Sequence, residues 1–184
     1  MGDYMVTWSL QQGGLLLLCV VFSEVQRSQT GPLDFVCSPE ARRYLNIIEP
    51  LKTAMRSCSG SDRLLLPIHL PCVRIHKQTW DQKSVQQKRA SVCAALGVFL
   101  HALGSAKGQP GLDCQTSILK RLKHNIQNHL KILKNLEIQG MPGPPEAGSK
   151  SQETSSLTKT LDLYGRLLQG QMELLLLDLS HTCP

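Results

Sequence analysis

Eight residues, Ser105 to Leu112, separate two long stretches of helical periodicity, and that short link constrains the fold more than any other feature. Upstream, from about Thr79 to Gly104, Val85, Val92, Leu96, Phe99, Leu100 and Leu103 form an apolar stripe, and Gly104 supplies a stop. Downstream, from about Asp113 to Ile138, the stripe is Leu119, Leu122, Ile126, Leu130 and Leu133. Asp113 is the expected cap, and Gly140 and Pro142 end the pattern. Each helix is on the order of 37 Å long. The link reaches about 26 Å when fully extended. It cannot run back along a helix, so the two form an antiparallel hairpin.

Two more helices are expected. The first runs from about Ser38 to Ser57, with Ser38 as N-cap and Pro39 in the first turn. Tyr44, Ile48, Leu51 and Met55 recur on its inner face. The last runs from about Ser155 to Ser180, with Leu157, Leu161, Tyr164, Leu168, Met172, Leu175 and Leu179 on one face. Leu163, Leu167, Leu174, Leu176 and Leu177 broaden that face, so this helix should be the most buried. The connection Cys58 to Gln78 reaches about 70 Å and the connection Gln139 to Thr154 about 53 Å. Both can run the length of a bundle. Long, short and long connections match an all-α, long-chain, up-up-down-down four-helix bundle with two crossover loops. An up-down bundle with loose loops satisfies the same lengths. The last connection is rich in Pro, Gly and Ser and is expected to be mobile.

Leu15 to Phe22 form an apolar run too short to span a bilayer. It reads as the core of a signal peptide, although Asp3 and no Lys or Arg precede it. The expected division is a leader over residues 1–28, cut somewhere between 23 and 31, and one secreted, extracellular domain over 29–184. Cys19 leaves with the leader. Cys37, Cys58, Cys72, Cys93, Cys114 and Cys183 remain, an even set that reads as disulfides in a secreted chain. None has the spacing of a zinc site. In the up-up-down-down bundle the start of helix one lies beside the end of helix four, which pairs Cys37 with Cys183. The end of helix one lies beside the start of helix three, which pairs Cys58 with Cys114. The first crossover passes the middle of helix two, which leaves Cys72 with Cys93.

The net charge of +6 and a pI near 9.0 invite acidic partners. Mean hydropathy of -0.13 excludes a polytopic membrane protein. No phosphate loop, nucleophile elbow or carboxylate dyad is present, so no catalysis, cofactor or metal is expected, nor nucleic acid or membrane insertion. Trp80 is expected to pack. Lys120, Arg121, Lys123, Lys131 and Lys134 crowd helix three as solvated charges, and heparan-type glycans are a secondary expected partner.

Several stretches carry a family resemblance. They are A-R-R-Y-L, T-W-D-Q-K-S-V-Q-Q-K-R-A, G-V-F-L-H-A-L-G-S-A-K-G-Q-P-G-L-D-C and L-Y-G-R-L-L-Q-G-Q. Together with the cysteine order, they resemble the erythropoietin/thrombopoietin family of four-helix cytokines from about Cys37 to Cys183. The resemblance implies a secreted haematopoietic hormone that brings together two identical class I cytokine receptor chains and triggers their tyrosine kinases. A receptor of the thrombopoietin type, and thus megakaryocyte or thrombocyte growth, is the first expectation. The erythropoietin receptor and a secreted heparin-binding role are the alternatives.

In the family one receptor face uses helices one and four with part of the first crossover, and the other uses helices one and three. Arg43 matches the family's basic residue before Tyr-Leu, with Arg42 beside it. Lys88 matches the lysine eight residues after the tryptophan. On helix four the candidates are Arg166, Gln169, Gln171 and Glu173. There Gln169-Gly170-Gln171 stands where the family reads Arg-Gly-Lys, and Glu173 where a further basic residue is usual. Asp81 replaces a lysine after Trp80, and Cys72 and Cys93 are additional to the family's two bridges. No Asn-x-Ser/Thr sequon occurs, which favours the thrombopoietin side.

Overall fold

The computed structural model describes residues 31–107, 112–136, 138 and 151–183. The expected leader and the stretch 139–150 of the last connection lie outside them. The elements are α1 (Pro32–Cys37), α2 (Pro39–Leu45), α3 (Ile48–Arg56), β1 (Arg63–Pro71), α4 (Lys77–Asp81), α5 (Val85–Lys107), α6 (Asp113–Asn135), β2 (Ser151–Ser156), α7 (Leu157–Leu167) and α8 (Glu173–Leu179). A π-helical turn, Leu168–Met172, joins α7 to α8, and a 3-10 turn, Ser180–Thr182, follows α8.

Four ties establish the topology. Cys37 is bridged to Cys183 with their Cα atoms 5.6 Å apart, so the start of the first helical arm meets the end of the last. At the other end Lys52 of α3 meets Asp162 of α7 at 2.8 Å. Cys58, just past α3, is bridged to Cys114 at the start of α6, 6.1 Å between Cα atoms. Lys88 at the start of α5 meets Asp178 at the end of α8, 2.8 Å. The α2–α3 arm is therefore antiparallel to both α6 and α7–α8, and α5 is antiparallel to α8. That is the up-up-down-down bundle, and the up-down alternative falls.

Among the described residues a two-stranded ribbon departs from the expected all-α chain, and the same topology explains it. One crossover descends while the other climbs, so they meet antiparallel. β1 and β2 pair in that sense, with Ile68 opposite Thr154 and Pro71 opposite Ser151. The register slips between Arg63 and Ile68, where Leu65 and Leu66 bulge into solvent. Leu64, Ile68 and Leu70 point inward and seal the bundle. Pro67 and Pro71 offer no N–H, which suits a two-stranded ribbon.

Two helices are broken where continuity was expected. A helix over 38–57 would place Pro50 in its interior, removing a hydrogen bond and clashing with the carbonyl of Asn46. The chain instead breaks at Asn46–Ile47, so Pro50 falls in the first turn of α3. The break shifts the helical phase, and Tyr44, expected on the inner face, is 85% exposed. The second helix breaks between α4 and α5. Ser84 accepts from Gln87 N at 3.2 Å, and Gln87 Oε1 accepts from Ser84 N at 2.9 Å, a reciprocal capping box. Asp113 is the first residue of α6 rather than its cap, which is Leu112. On α8 Leu174 and Leu177 face solvent, while the rest of the expected stripe is buried from Leu157 to Leu179. α5 is long and apolar enough to cross a membrane by composition, but Val92, Leu96, Phe99 and Leu103 are buried in the bundle.

The expected Cys72–Cys93 bridge is absent: both are free thiols. Gln86, Arg89 and Cys93 share one stripe of α5. Gln86 and Arg89 donate to the carbonyls of Ile138 and Leu136, so that stripe faces the end of α6. Burial pushes the Cys93 thiol up, against the pull of Arg89 and Lys134. Cys72 instead follows the strand-pinned Pro71 on the crossover.

Candidate functional site

The N-terminal arm folds back on the last helix. Ser38 accepts from Ala41 N at 3.2 Å and Pro39 opens α2, which sets Arg42, Arg43 and Tyr44 on consecutive positions of a short helix. The Arg42 guanidinium donates to the carbonyls of Val36 (2.7 Å) and Phe35 (3.4 Å), satisfying the open end of α1. Its other nitrogen meets Glu173 Oε1 of α8 at 3.5 Å. Arg43 is exposed and pairs with Glu40 one turn back, 2.7 Å. Hydrogen bonds from its own backbone and from Ser38, with the Arg43 charge beside it, lower the Glu40 carboxyl.

Between α2 and the π turn lies a groove of about 270 Å³. Arg42, Arg43, Gln169 and Glu173 stand around it, and Phe35, His129 and Met172 also line it. Four of the seven expected contact residues are therefore brought together. Three are not. Arg166 is exposed on α7 and Gln171 is half-buried in the π turn, and neither lines the groove. Lys88 is only 7% exposed. Its ammonium lies 2.8 Å from Asp178 and 5.9 Å from the ring centre of Trp80, so it ties α5 to α8 rather than facing a partner. Trp80 packs as expected, with Lys83 also near its ring at 5.6 Å.

Gly170 sits at the centre of the π turn because the first crossover passes close by. A Cβ there would stand 2.9 Å from Ile75 Cδ1. The turn thus carries Gln169 and Gln171 on a segment held against the crossover.

A buried polar network underlies the groove. The Asn46–Ile47 break leaves the Leu45 carbonyl without a helical partner, and Asn125 Nδ2 donates to it at 2.7 Å. Tyr164 donates to Asn125 Oδ1 at 2.8 Å. His129 Nδ1 lies 3.0 Å from the Asn125 carbonyl and 2.8 Å from the Tyr164 oxygen. One arrangement satisfies all of these: His129 carries its proton on Nδ1 and donates, while Tyr164 gives its only proton to Asn125. Every acceptor is served by neutral groups, so the network specifies the helix register without a buried charge.

Burial lowers the His129 pKa to about 4, against a smaller opposite pull from the Asn125 carbonyl. The unfolded chain binds this proton near pH 6.5 and the folded chain does not. Stability is therefore full above about pH 6.5, falls as pH drops, and levels off below about 4, a loss of about 3 kcal/mol. Asp62 behaves differently: burial raises its carboxyl, but hydrogen bonds from Thr158 and Ser156 outweigh that and hold it below its ordinary value. Its stabilisation is lost further into acid. Urea unfolding at pH 7 and pH 4.5, repeated on His129→Asn, should show the wild-type loss greatly reduced in the variant. An equal loss in both would remove His129 as its source.

Tyr44 is the residue missed by pattern reading. It is an exposed aromatic beside Arg43, and Pro50 six residues on was the available signal that the inner stripe would not reach it.

The Erythropoietin/thrombopoietin family model matches residues 35–183. The chain belongs to the erythropoietin/thrombopoietin family. It is 25% identical to thrombopoietin of Rattus norvegicus over 165 residues, 89% of this chain and 49% of that protein. Against thrombopoietin of Mus musculus it is 25% identical over 166 residues, 45% of that protein. The chain thus spans about half the length of these relatives. It is 24% identical to erythropoietin of Takifugu rubripes over 179 residues, 94% of each chain. For an erythropoietin/thrombopoietin family member, the two bridges and the bundle above form the frame, and Cys72 and Cys93 stand outside it as thiols.

Proposed function

We propose that the chain is a secreted hormone that binds and pairs two copies of a class I cytokine receptor of the thrombopoietin-receptor type. Pairing activates receptor-associated tyrosine kinases and promotes megakaryocyte or thrombocyte-lineage growth. The observation that carries this reading is the family match over residues 35–183. The groove face supports it. Arg43 and Gln169 are exposed at the groove, Tyr44 is exposed next to Arg43 on α2, and exposed aromatic and arginine side chains are the usual anchors of a protein interface. Arg42 is paired with Glu173 and Arg43 with Glu40, so the arginines of this face are matched by carboxylates. A receptor matched to this chain would meet it through packing and hydrogen bonds more than through charge.

Binding of the purified protein to a matched receptor ectodomain tests the face. Tyr44→Ala should weaken binding by about 30-fold, the effect of an interface anchor. The melting temperature should not move, because the ring is almost fully in solvent. Unchanged affinity would exclude the Tyr44 side of α2 as a receptor contact.

A second reading, an erythropoietin-type hormone acting on the erythropoietin receptor, is favoured by one observation. The likeness to the Takifugu rubripes erythropoietin runs over 94% of both chains.

A further inference from the structure

We propose that the outer face of α6 is a binding surface for a sulfated glycosaminoglycan chain. α6 exposes Lys120, His124, Gln127, Lys131 and Lys134, with Lys123 half-exposed among them. At about 100° per residue these six positions fall within an arc of about 100°. From Lys120 to Lys134 the stripe is about 21 Å long. Its inner counterpart, Leu119, Leu122, Ile126 and Leu133, is buried, so the cations form the solvent side of a fixed rod.

α6 and its neighbour α5 carry cations with almost no acid between them. α5 contains no Asp or Glu, and α6 contains only Asp113, at its first position. Among the described residues none of Lys120, Lys123, Lys131 and Lys134 is held in an ion pair. The ion pairs that are formed lie elsewhere, at Glu40, Glu49, Asp162, Glu173 and Asp178 on other elements.

Three observations choose the partner. Among the described residues, none of the exposed large apolar side chains falls between Asp113 and Leu136. Protein interfaces centre on aromatic and apolar anchors and are depleted in lysine, so the lysine row itself is a poor centre for one. The face is a straight, convex row of ammonium groups, which suits an extended polyanion with repeated anionic groups. Two disulfides place the folded chain in an oxidising compartment, where sulfated glycans rather than nucleic acids are the available polyanion. The stripe is separate from the α2–π-turn groove.

The intact protein is tested on immobilised heparin, with desulfated heparin and duplex DNA as comparison probes. Binding should be present at about 50 mM salt and weaken strongly by about 150 mM. The variant K120Q/K123Q/K131Q/K134Q should bind about 30-fold more weakly, roughly 2- to 3-fold for each exposed ion pair lost. Arg43→Gln, on the groove face, should bind as wild type. Lysine and glutamine have similar helix propensity, so the variant should keep its melting temperature. An independent reading uses the wild-type protein alone. Heparin should protect Lys120, Lys123, Lys131 and Lys134 from acylation while leaving Lys159 reactive. Equal binding by the quadruple variant, or protection that spares the stripe, would overturn the proposal. Desulfated heparin bound as tightly, or DNA bound more tightly than heparin, would overturn the assignment to a sulfated glycan. Receptor ectodomain binding lost in the quadruple variant, with heparin binding intact, would make the stripe a protein interface instead.

Discussion

Replacing Cys37 and Cys183 with serine should lower the unfolding free energy by about 5 kcal/mol. The bridge joins residues 146 apart in sequence. In the chain-entropy description, freeing a loop of that size restores more disorder to the unfolded chain than freeing a shorter one. The Cys58–Cys114 bridge, with a separation of 56, should therefore matter less, about 4 kcal/mol. The first bridge has a second role. It fastens α1 to the end of the last helix, and Arg42 both closes α1 and reaches Glu173. Its loss should loosen the groove as well as the fold. Denaturant unfolding of the two double-serine variants beside the wild type checks both magnitude and order. A cost below about 1 kcal/mol for Cys37 and Cys183, or a larger cost for the shorter loop, would contradict the account.

Tyr164→Ala should cost about 5 kcal/mol. The ring is fully buried, edge-on to Phe99 at 5.7 Å and to His129 at 6.1 Å. Emptying an aromatic site costs about 3–5 kcal/mol, because the surrounding helices cannot fully collapse into it. The alanine also leaves Asn125 Oδ1 without its donor, and a buried unpaired polar group adds about 1–3 kcal/mol. Tyr164→Phe separates the two contributions. It keeps the ring and removes only the hydroxyl, so it should cost about 2 kcal/mol. Calorimetry or urea unfolding of both variants decides the matter. If Tyr164→Phe were as costly as Tyr164→Ala, packing would contribute nothing. If both were nearly neutral, the network would not hold the register of α6 and α7.

Much of the fold was legible because it rests on lengths and periods. The eight-residue link forced the α5–α6 hairpin, the two long connections allowed crossovers, and topology then placed Cys37 by Cys183 and Cys58 by Cys114. What escaped was local chemistry that competes with period. Pro50 and the Ser84–Gln87 box were both present in the sequence, yet the apolar stripe ran through them. The phase error at Asn46 is why Tyr44 was placed inside. β2, S-Q-E-T-S-S, has no apolar alternation and could not be read as a strand. It is one because the other crossover runs beside it. Lys88 shows a different limit: a lysine in a sequence carries no mark of whether Asp178, 90 residues away, will claim it. The Cys72–Cys93 inference failed for a related reason, since passing the same helix does not mean meeting the same face of it.

For the helix-four candidates, sequence gave the positions and structure gave their separation. Gln169 and Glu173 reach the groove, while Arg166 and Gln171 do not line it. A π turn spans Leu168–Met172 between them, and nothing in the leucine stripe announced it.

The most direct test of the central claim exposes two matched cell lines to the purified protein, one carrying the thrombopoietin receptor and the other the erythropoietin receptor. Phosphorylation of receptor-associated tyrosine kinase should appear in the thrombopoietin-receptor line, and Tyr44→Ala should shift its dose response to higher concentration. Signalling through the erythropoietin receptor alone would contradict the receptor assignment, and silence in both lines would contradict the hormone reading itself.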